Sequence, residues 1–536
     1  MKKIILLAFI SLLFIQCNSV KNHNKHLNDL LSEQKLQSDV DYIYTKLQKL
    51  HPNLYWYISK ESLDYKFDSL KKTITKPMNR FAFYTKLSPV LASIRQGHLF
   101  VYPYTKMFTK KESKALVKKG VGPFSQFEFE VFDNKMYVVK NKSYDKSIQK
   151  GYEVVAINGK NPMELTANYS KWFTSDGYNQ TFKKARLGKY LPTFYTNENG
   201  VQDSVIYNFK SHDSIKIVTI KRKVTDTAGT NKKAIKKVLT QLEKANIKAK
   251  KKAEKKEKSI FGYDESTKSN NRNLRFLEND STVAVMKIKG FSIGNYNTFY
   301  EESFSKLNQQ KTKTLVLDLR NNPGGRLSEI AELYSYLSDS TFVFLEPSEV
   351  VSKTSLFHAD YFKGGSLGIK ALKIVFSPLY YGYTFFKVHK KENGKYYYNS
   401  ESTPQKIKKD AFKGKLYVLI NGGSFSASCI ISSNLKGTNR ATFVGEETGG
   451  AYNGTVAGQM PILELPNSKI KVRVGLVAIV PHYKTNLEGH GVFPDIEIVP
   501  TLEDKIKDID VEMNWVLEDL KKNQSPRKNV VSEKTN

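Results

Sequence analysis

The chain has 536 residues, with 85 Lys+Arg against 52 Asp+Glu, a formal charge of +33. Three to four domains fit that length at about 150 residues each, and 40% hydrophobic with 12% aromatic residues excludes a mostly disordered chain. Two cysteines exclude a disulfide scaffold and a Cys-rich metal site, and no spacing of His, Asp or Glu suggests another, so no metal is expected, nor any cofactor. Of the 85 positive residues 11 are Arg and 74 are Lys. Arg is the residue suited to bidentate phosphate and guanine contacts, so no nucleic-acid partner is expected.

Lys2 and Lys3 precede an apolar run from Ile4 to Ile15. Its 12 residues fall short of the about 20 that a membrane-crossing helix needs, and they suit the apolar region of an export signal. The run ends at Phe14-Ile15-Gln16-Cys17, before Asn18-Ser19, which resembles a bacterial lipoprotein signal. That resemblance implies a signal peptide over 1–17 and lipid on Cys17. It also implies export to the bacterial cell envelope, in the outer membrane or facing the periplasm. Ordinary secretion is the alternative.

An N-terminal helical domain is expected over 18–115. Ile43, Leu47 and Leu50 share one helical face, and Phe81, Tyr84, Leu87, Leu91 and Ile94 repeat at three- and four-residue steps. Gly97 fits a helix stop, with His98 just beyond it. His51, before Pro52, is expected to serve helix termination and packing. Residues 116–225 are strand-rich, and the stretch from Ile148 through Gly151 to Ile157-Asn158-Gly159 resembles a PDZ domain. Such domains bind extended peptides by strand addition. Asn168 to Val205 must then be an insertion or a long helix and loop.

A Lys-rich linker is expected over 226–273; residues 232–258 alone hold 12 Lys and three Glu, which marks a solvated segment or a contact with anionic lipid. An α/β core follows over 274–510. Its strands are Val283–Ile288, Thr314–Leu319, Leu416–Ile420 and Thr442–Val444, apolar runs of the kind buried in parallel sheets. The tail, 511–536, is polar and expected to fray.

Three turns follow the buried strands, where open α/β sheets place their ligands. Asp318-Leu319-Arg320-Asn321-Asn322-Pro323-Gly324-Gly325 offers backbone amides suited to an oxyanion, while Asp318 and Arg320 fit a structural ion pair. Asn421-Gly422-Gly423-Ser424-Phe425-Ser426-Ala427-Ser428 puts serines on a sharp strand-to-helix turn. Taken alone, those serines fit helix capping as well as chemistry. Gly445-Glu446-Glu447-Thr448-Gly449-Gly450 is the third turn.

In this order and spacing the set resembles the C-terminal processing (tail-specific) and tricorn-type serine peptidases. Lys289-Gly290-Phe291 and Gly491-Val492-Phe493-Pro494-Asp495-Ile496 fit the same pattern, which reaches from about residue 40 to about residue 500. The resemblance implies a multidomain α+β fold: the helical region, the PDZ-like domain and a crotonase- or ClpP-like peptidase core. It puts the nucleophile on Ser426 and the oxyanion hole on the amide of Ala427 with one from Gly324 or Gly325. Where tail-specific members carry a base Lys, this chain has Ala451. The tricorn-type branch takes its base from the helical region, which matches His98, and its supporting acid at Glu488. His490 is the rival base.

That branch also has a serine where Gly97 stands, and the family's usual Glu after the second serine is here Cys429. The implied activity is hydrolysis of peptide bonds in proteins or peptides by an envelope-anchored serine peptidase. The alternative is a non-catalytic lipoprotein that holds peptides in the PDZ-like domain and a degenerate cleft. Phe376 to Phe386, rich in aromatics, lines a substrate pocket or packs in the core; the sequence leaves both open.

Overall fold

The computed structural model describes residues 20–224, 241–278, 280–292, 294–398 and 401–524. The apolar run and Cys17 lie outside the described residues, as do 225–240 of the Lys-rich segment.

Three helices, Glu33–Leu50, Lys60–Lys72 and Arg80–Ala92, build the N-terminal part. Leu36, Val40, Ile43, Leu47 and Leu50 fall on one face of the first and are all buried. The third opens at Asn79, whose side chain accepts the Ala82 N–H. It ends at Ser93, so Gly97 is not its stop; the chain turns through Arg95, at φ 60°, before reaching Gly97 and His98. The next strand, Phe100–Tyr102, pairs antiparallel with Lys471–Arg473, which also pairs with Ile462–Glu464. This ladder joins the helices to the core. Around it the Asp39 carboxylate accepts the amides of Asn467 and Ser468 at 2.9 and 2.7 Å, and Arg80 Nε donates to the Ser468 carbonyl at 3.1 Å.

Residues 127–221 form a five-stranded antiparallel sheet in chain order, with two helices, Pro162–Tyr169 and Thr181–Asn199, between its third and fourth strands. Of the segment expected as an insertion or a long helix and loop, half is the second of these helices, 19 residues long. Beyond it the Lys-rich segment is helical from Gln241 to Phe261. Its lysines from Lys248 to Lys258 lie in water while Ile260 is buried and Phe261 meets Phe299 edge-on at 6.0 Å.

The core sheet has six strands. Asp280–Ile288, Thr314–Asp318, Lys415–Ile420, Thr442–Gly445 and Ile496–Glu497 run parallel in that spatial order, and Arg272–Leu277 closes one edge antiparallel. All of Thr314–Asp318 is buried, as its unbroken apolar run requires. One correction concerns the tail. Val511–Gln524 is a helix, and Met513, Val516 and Leu520 are buried in one cluster with Val283, Val285, Val316 and Val444 of the sheet. Three- and four-residue spacing puts those apolar residues on one face, although the segment as a whole is charged. Residues 525–536 lie outside the described set.

Candidate active site

The strand Lys415–Ile420 enters the helix Ala427–Gly437 through the serine turn. Two of the three serines brace it. Ser424 Oγ donates to the Leu319 carbonyl at 2.8 Å and Ser428 Oγ to that of Asn322 at 3.0 Å. Ser426 does neither. It stands at the helix N-cap without capping it, at φ 57° and ψ −121°, a left-handed conformation that costs a non-glycine residue about 1–3 kcal/mol. Such strain, held by bonds on either side, aims the hydroxyl away from the helix.

His98 meets it there. Its Nε2 lies 3.0 Å from Ser426 Oγ, across 328 residues of sequence. The imidazole is buried, with the Phe425 ring centroid at 5.1 Å. Burial, with Arg473 nearby, pushes its pKa down to about 3, so the ring is neutral and its Nε2 is free to accept the serine proton. The backbone on both sides of the ring is clamped. Arg473 Nε donates to the His98 carbonyl at 3.0 Å, and the Gly97 N–H donates to Asp176 Oδ1 at 2.8 Å. A Cβ on Gly97 would come within 2.6 Å of the Phe425 ring and 3.2 Å of the Asp176 amide. This close approach explains why no serine stands at 97.

Asp176 has no counterpart in the sequence reading. It is buried, and its Oδ1 also accepts Thr455 Oγ–H at 3.0 Å; Oδ2 has no partner. Burial pushes this carboxyl up to about 6 despite those donors. Its neighbours hold the same segment in place. Gly177 N–H donates to the Arg95 carbonyl at 2.9 Å, Tyr178 N–H to that of Gly489 at 2.7 Å, and Asn179 Nδ2 to that of Thr448 at 2.8 Å. The strap 175–181 thus touches the base side and the core side of the site. No motif surrounds it, so nothing in the sequence singled it out.

The two glycines after Thr314–Asp318 divide their work. Gly324, at φ 94°, lies so close to the serine turn that a Cβ would sit 2.7 Å from the Ala427 amide nitrogen. Its own N–H is taken by Asn322 Oδ1 at 2.9 Å. Gly325 and Ala427 instead line the cleft beside His98 and Ser426. Asp318 and Arg320 do form the expected pair, Nη2 to Oδ2 at 3.0 Å, and Arg320 reaches on to Asp510 and Glu512.

Glu488 is not brought to His98. Its Oε1 accepts Asn453 Nδ2 at 2.7 Å and its Oε2 accepts Trp56 Nε1 at 3.2 Å, and no hydrogen bond links it to the imidazole. These bonds draw it to a separate cavity of about 860 Å³ that also reaches His51 and Trp56. The expected carboxylate–imidazole contact is therefore corrected by two competing donors. His490 lies with its Nδ1 3.4 Å from Glu447 Oε1 and makes no hydrogen bond to Ser426. Ala451 is buried, and Cys429 points its thiol at the carbonyls of Ser424 and Gly450, both at 3.4 Å. Burial pushes that thiol up to about 12, which keeps it an inert thiol.

The cleft over Ser426 measures about 480 Å³ and is walled by Ile430, Met460, Val477 and Ile479 opposite Tyr380 and Tyr383. Its lining contains no Asp, Glu or Cys; beside the His98 imidazole, the Ser426 hydroxyl and backbone amides it offers the Arg326 guanidinium, the Gln459 carboxamide and hydroxyls of Ser, Thr and Tyr residues. The aromatic stretch 376–386 belongs to one helix, Leu367–Lys387. Tyr380, Tyr383 and Thr384 line the cleft, whereas Phe376, Leu379 and Phe386 lie in water. Core packing is not what most of it does.

Residues 282–498 match the sequence model of Peptidase family S41. Two curated relatives are each 28% identical. The carboxy-terminal-processing protease of Bartonella bacilliformis matches over 208 residues, 39% of this chain and 36% of that protein. The carboxyl-terminal-processing protease of a Picosynechococcus species matches over 230 residues, 42% and 40%. The match thus spans well under half the length of either relative. Among solved structures, mature CPAF is similar over 92% of this chain and 99% of its own, with TM-score 0.54 and 15% identity. Mature CPAF complexed with lactacystin gives 0.55 at the same identity. At that identity the likeness is one of fold.

Proposed function

We propose that this chain is a serine-type peptidase of the S41 kind, hydrolysing peptide bonds through an acyl-enzyme at Ser426. The observation that carries the reading is the 3.0 Å contact between a buried, neutral imidazole and a strained, uncapped serine. Ser426 Oγ attacks the scissile carbonyl and its proton passes to His98 Nε2. The developing oxyanion sits between the N–H groups of Ala427 and Gly325, each such donor contributing about 3 kcal/mol to a hydrolase barrier. His98 then gives the proton to the leaving amine. Water, deprotonated by the same imidazole, releases the acyl group and restores the serine.

The base is a histidine, as in the tricorn-type branch, and Ala451 leaves no lysine for a Ser–Lys dyad. Orientation of His98 comes from the clamp on its backbone, by Asp176 through Gly97 and by Arg473. The sheet over 127–221 acts as a PDZ-like module that presents an extended peptide to the cleft. Cys17 carries the lipid that holds the enzyme in the cell envelope. Domain limits follow the same reading, with the core extended through residue 524.

A fluorophosphonate serine probe tests the chemistry. Wild-type protein takes up the label, Ser426→Ala takes up none, and His98→Ala loses nearly all of it. Uptake by His98→Ala at the wild-type rate removes His98 as the base. A folded wild type that never reacts removes the enzyme.

A further inference from the structure

The helix Leu367–Lys387 is built inside out. Toward the protein it turns Lys373, Tyr380, Tyr381 and Thr384: Tyr380 stacks on Tyr361 at 4.1 Å, Tyr381 meets Phe357 at 5.0 Å, Lys373 Nζ donates to the Lys363 carbonyl at 2.9 Å, and Thr384 is buried. Toward water it turns Ile369, Leu372, Phe376, Leu379, Tyr383 and Phe386, at successive steps of three and four residues. Their exposures run from 48% at Ile369 to 74% at Phe386. A helix of a soluble protein carries its apolar stripe inward. A continuous stripe turned outward marks an interaction surface.

Charge identifies what covers it. The helix contains no Asp or Glu; it carries Lys370, Lys373 and Lys387, and Lys390 and Lys391 follow at once. The chain as a whole is at +33. Lysines beside an apolar helix face match acyl chains bordered by phosphate groups. They oppose a second copy of the same surface, which would bring like charges together. Among the described residues no helix is long and apolar enough to cross a membrane, so this one would lie along it.

We propose that Leu367–Lys387 seats the protein on the surface of an anionic lipid bilayer, with the stripe from Ile369 to Phe386 among the acyl chains. Tyr383 belongs both to the stripe and to the wall of the cleft, so seating brings the mouth of the cleft to the bilayer surface. Binding at this face does not depend on the hydrolase reading. What it adds to that reading is a substrate class: polypeptide segments lying at a lipid surface.

The test uses the full chain with Cys17→Ser and Leu379→Cys, labelled with an environment-sensitive dye; Cys429 is buried and stays unlabelled. The same label at Tyr65, an exposed ring on the helix Lys60–Lys72, is the control. Vesicles of phosphatidylcholine with phosphatidylglycerol, brominated in the acyl chains, are added. The expected result is a blue shift and loss of emission at 379 and neither at 65, with both effects at 379 removed by adding Phe376→Glu. No change at 379 overturns the proposal. So does a blue shift without lipid that grows with protein concentration, which gives the face to a second copy. Serine-probe uptake measured on the same samples keeps failure of the seating distinct from failure of the hydrolase.

Discussion

In the proposed mechanism the His98 imidazole takes up a proton inside a site that penalises the charge. Burial lowers its pKa to about 3, and no carboxylate is hydrogen-bonded to the ring to offset that. The imidazolium is then stabilised mainly when an oxyanion forms opposite it, so the cost falls only as the reaction proceeds. Such a base gains more from exact placement than from its own strength. Asp176 should therefore matter more than Glu488. In Asp176→Leu the Gly97 amide loses its acceptor, and kcat is expected to fall about 100-fold with KM changed less than about threefold. Asp176→Asn keeps an accepting oxygen and should restore most of that rate. Glu488→Gln should cost less than about tenfold. Steady-state kinetics, corrected for the folded fraction by circular dichroism, decide the order; a larger loss in Glu488→Gln returns the orienting role to that residue.

Two helices at the element scale show how composition misleads. Val511–Gln524 is rich in Glu, Asp and Lys, yet Val516 is fully buried against the sheet. Val516→Ala is expected to cost about 1–3 kcal/mol in urea unfolding. Ending the chain at 510 bares Val283, Val285, Val316 and Val444, and insoluble protein is the expected outcome. A soluble, folded protein ending at 510 would show that the helix is dispensable. The serine turn, the paired glycines and the parallel strands were legible because each depends on local backbone geometry or an unbroken apolar run. Asp176 and Arg473 were not, since a single buried carboxylate and a single guanidinium act here only through neighbours distant in sequence. Leu367–Lys387 escaped recognition as a helix because Pro378 and Gly382 interrupt it and its aromatic residues suit strands equally well.

Across the whole molecule, acid should loosen the fold before it silences the base. His98 and His51 are buried with pKa values lowered to about 3 and about 4 from 6.5. Below pH 6.5 the unfolded chain takes up two protons on these rings that the native chain refuses. Asp176 works the other way, because its value is raised to about 6 from 3.8 and the native chain holds that proton. Between pH 4 and 6 these three groups leave the unfolded state ahead by one proton. Stability from them therefore falls with acidification, by about 1.4 kcal/mol per pH unit. Urea midpoints between pH 4.5 and 6.5 measure it, and His51→Leu should flatten the dependence. An unchanged slope in that variant would rule out His51 as a source.

The 328 residues between His98 and Ser426 also set a clock on assembly of the proposed site. At ribosomal rates of about 5–20 residues per second, His98 is made roughly half a minute before Ser426. During that interval no chain contains both groups, however well its first helices have folded. The strand that welds those helices to the core, Lys471–Arg473, is made later still. On the proposed mechanism, a growing chain therefore cannot cut its neighbours on the same message. The proposed activity is thus deferred until both Ser426 and the ladder strand Lys471–Arg473 have been made.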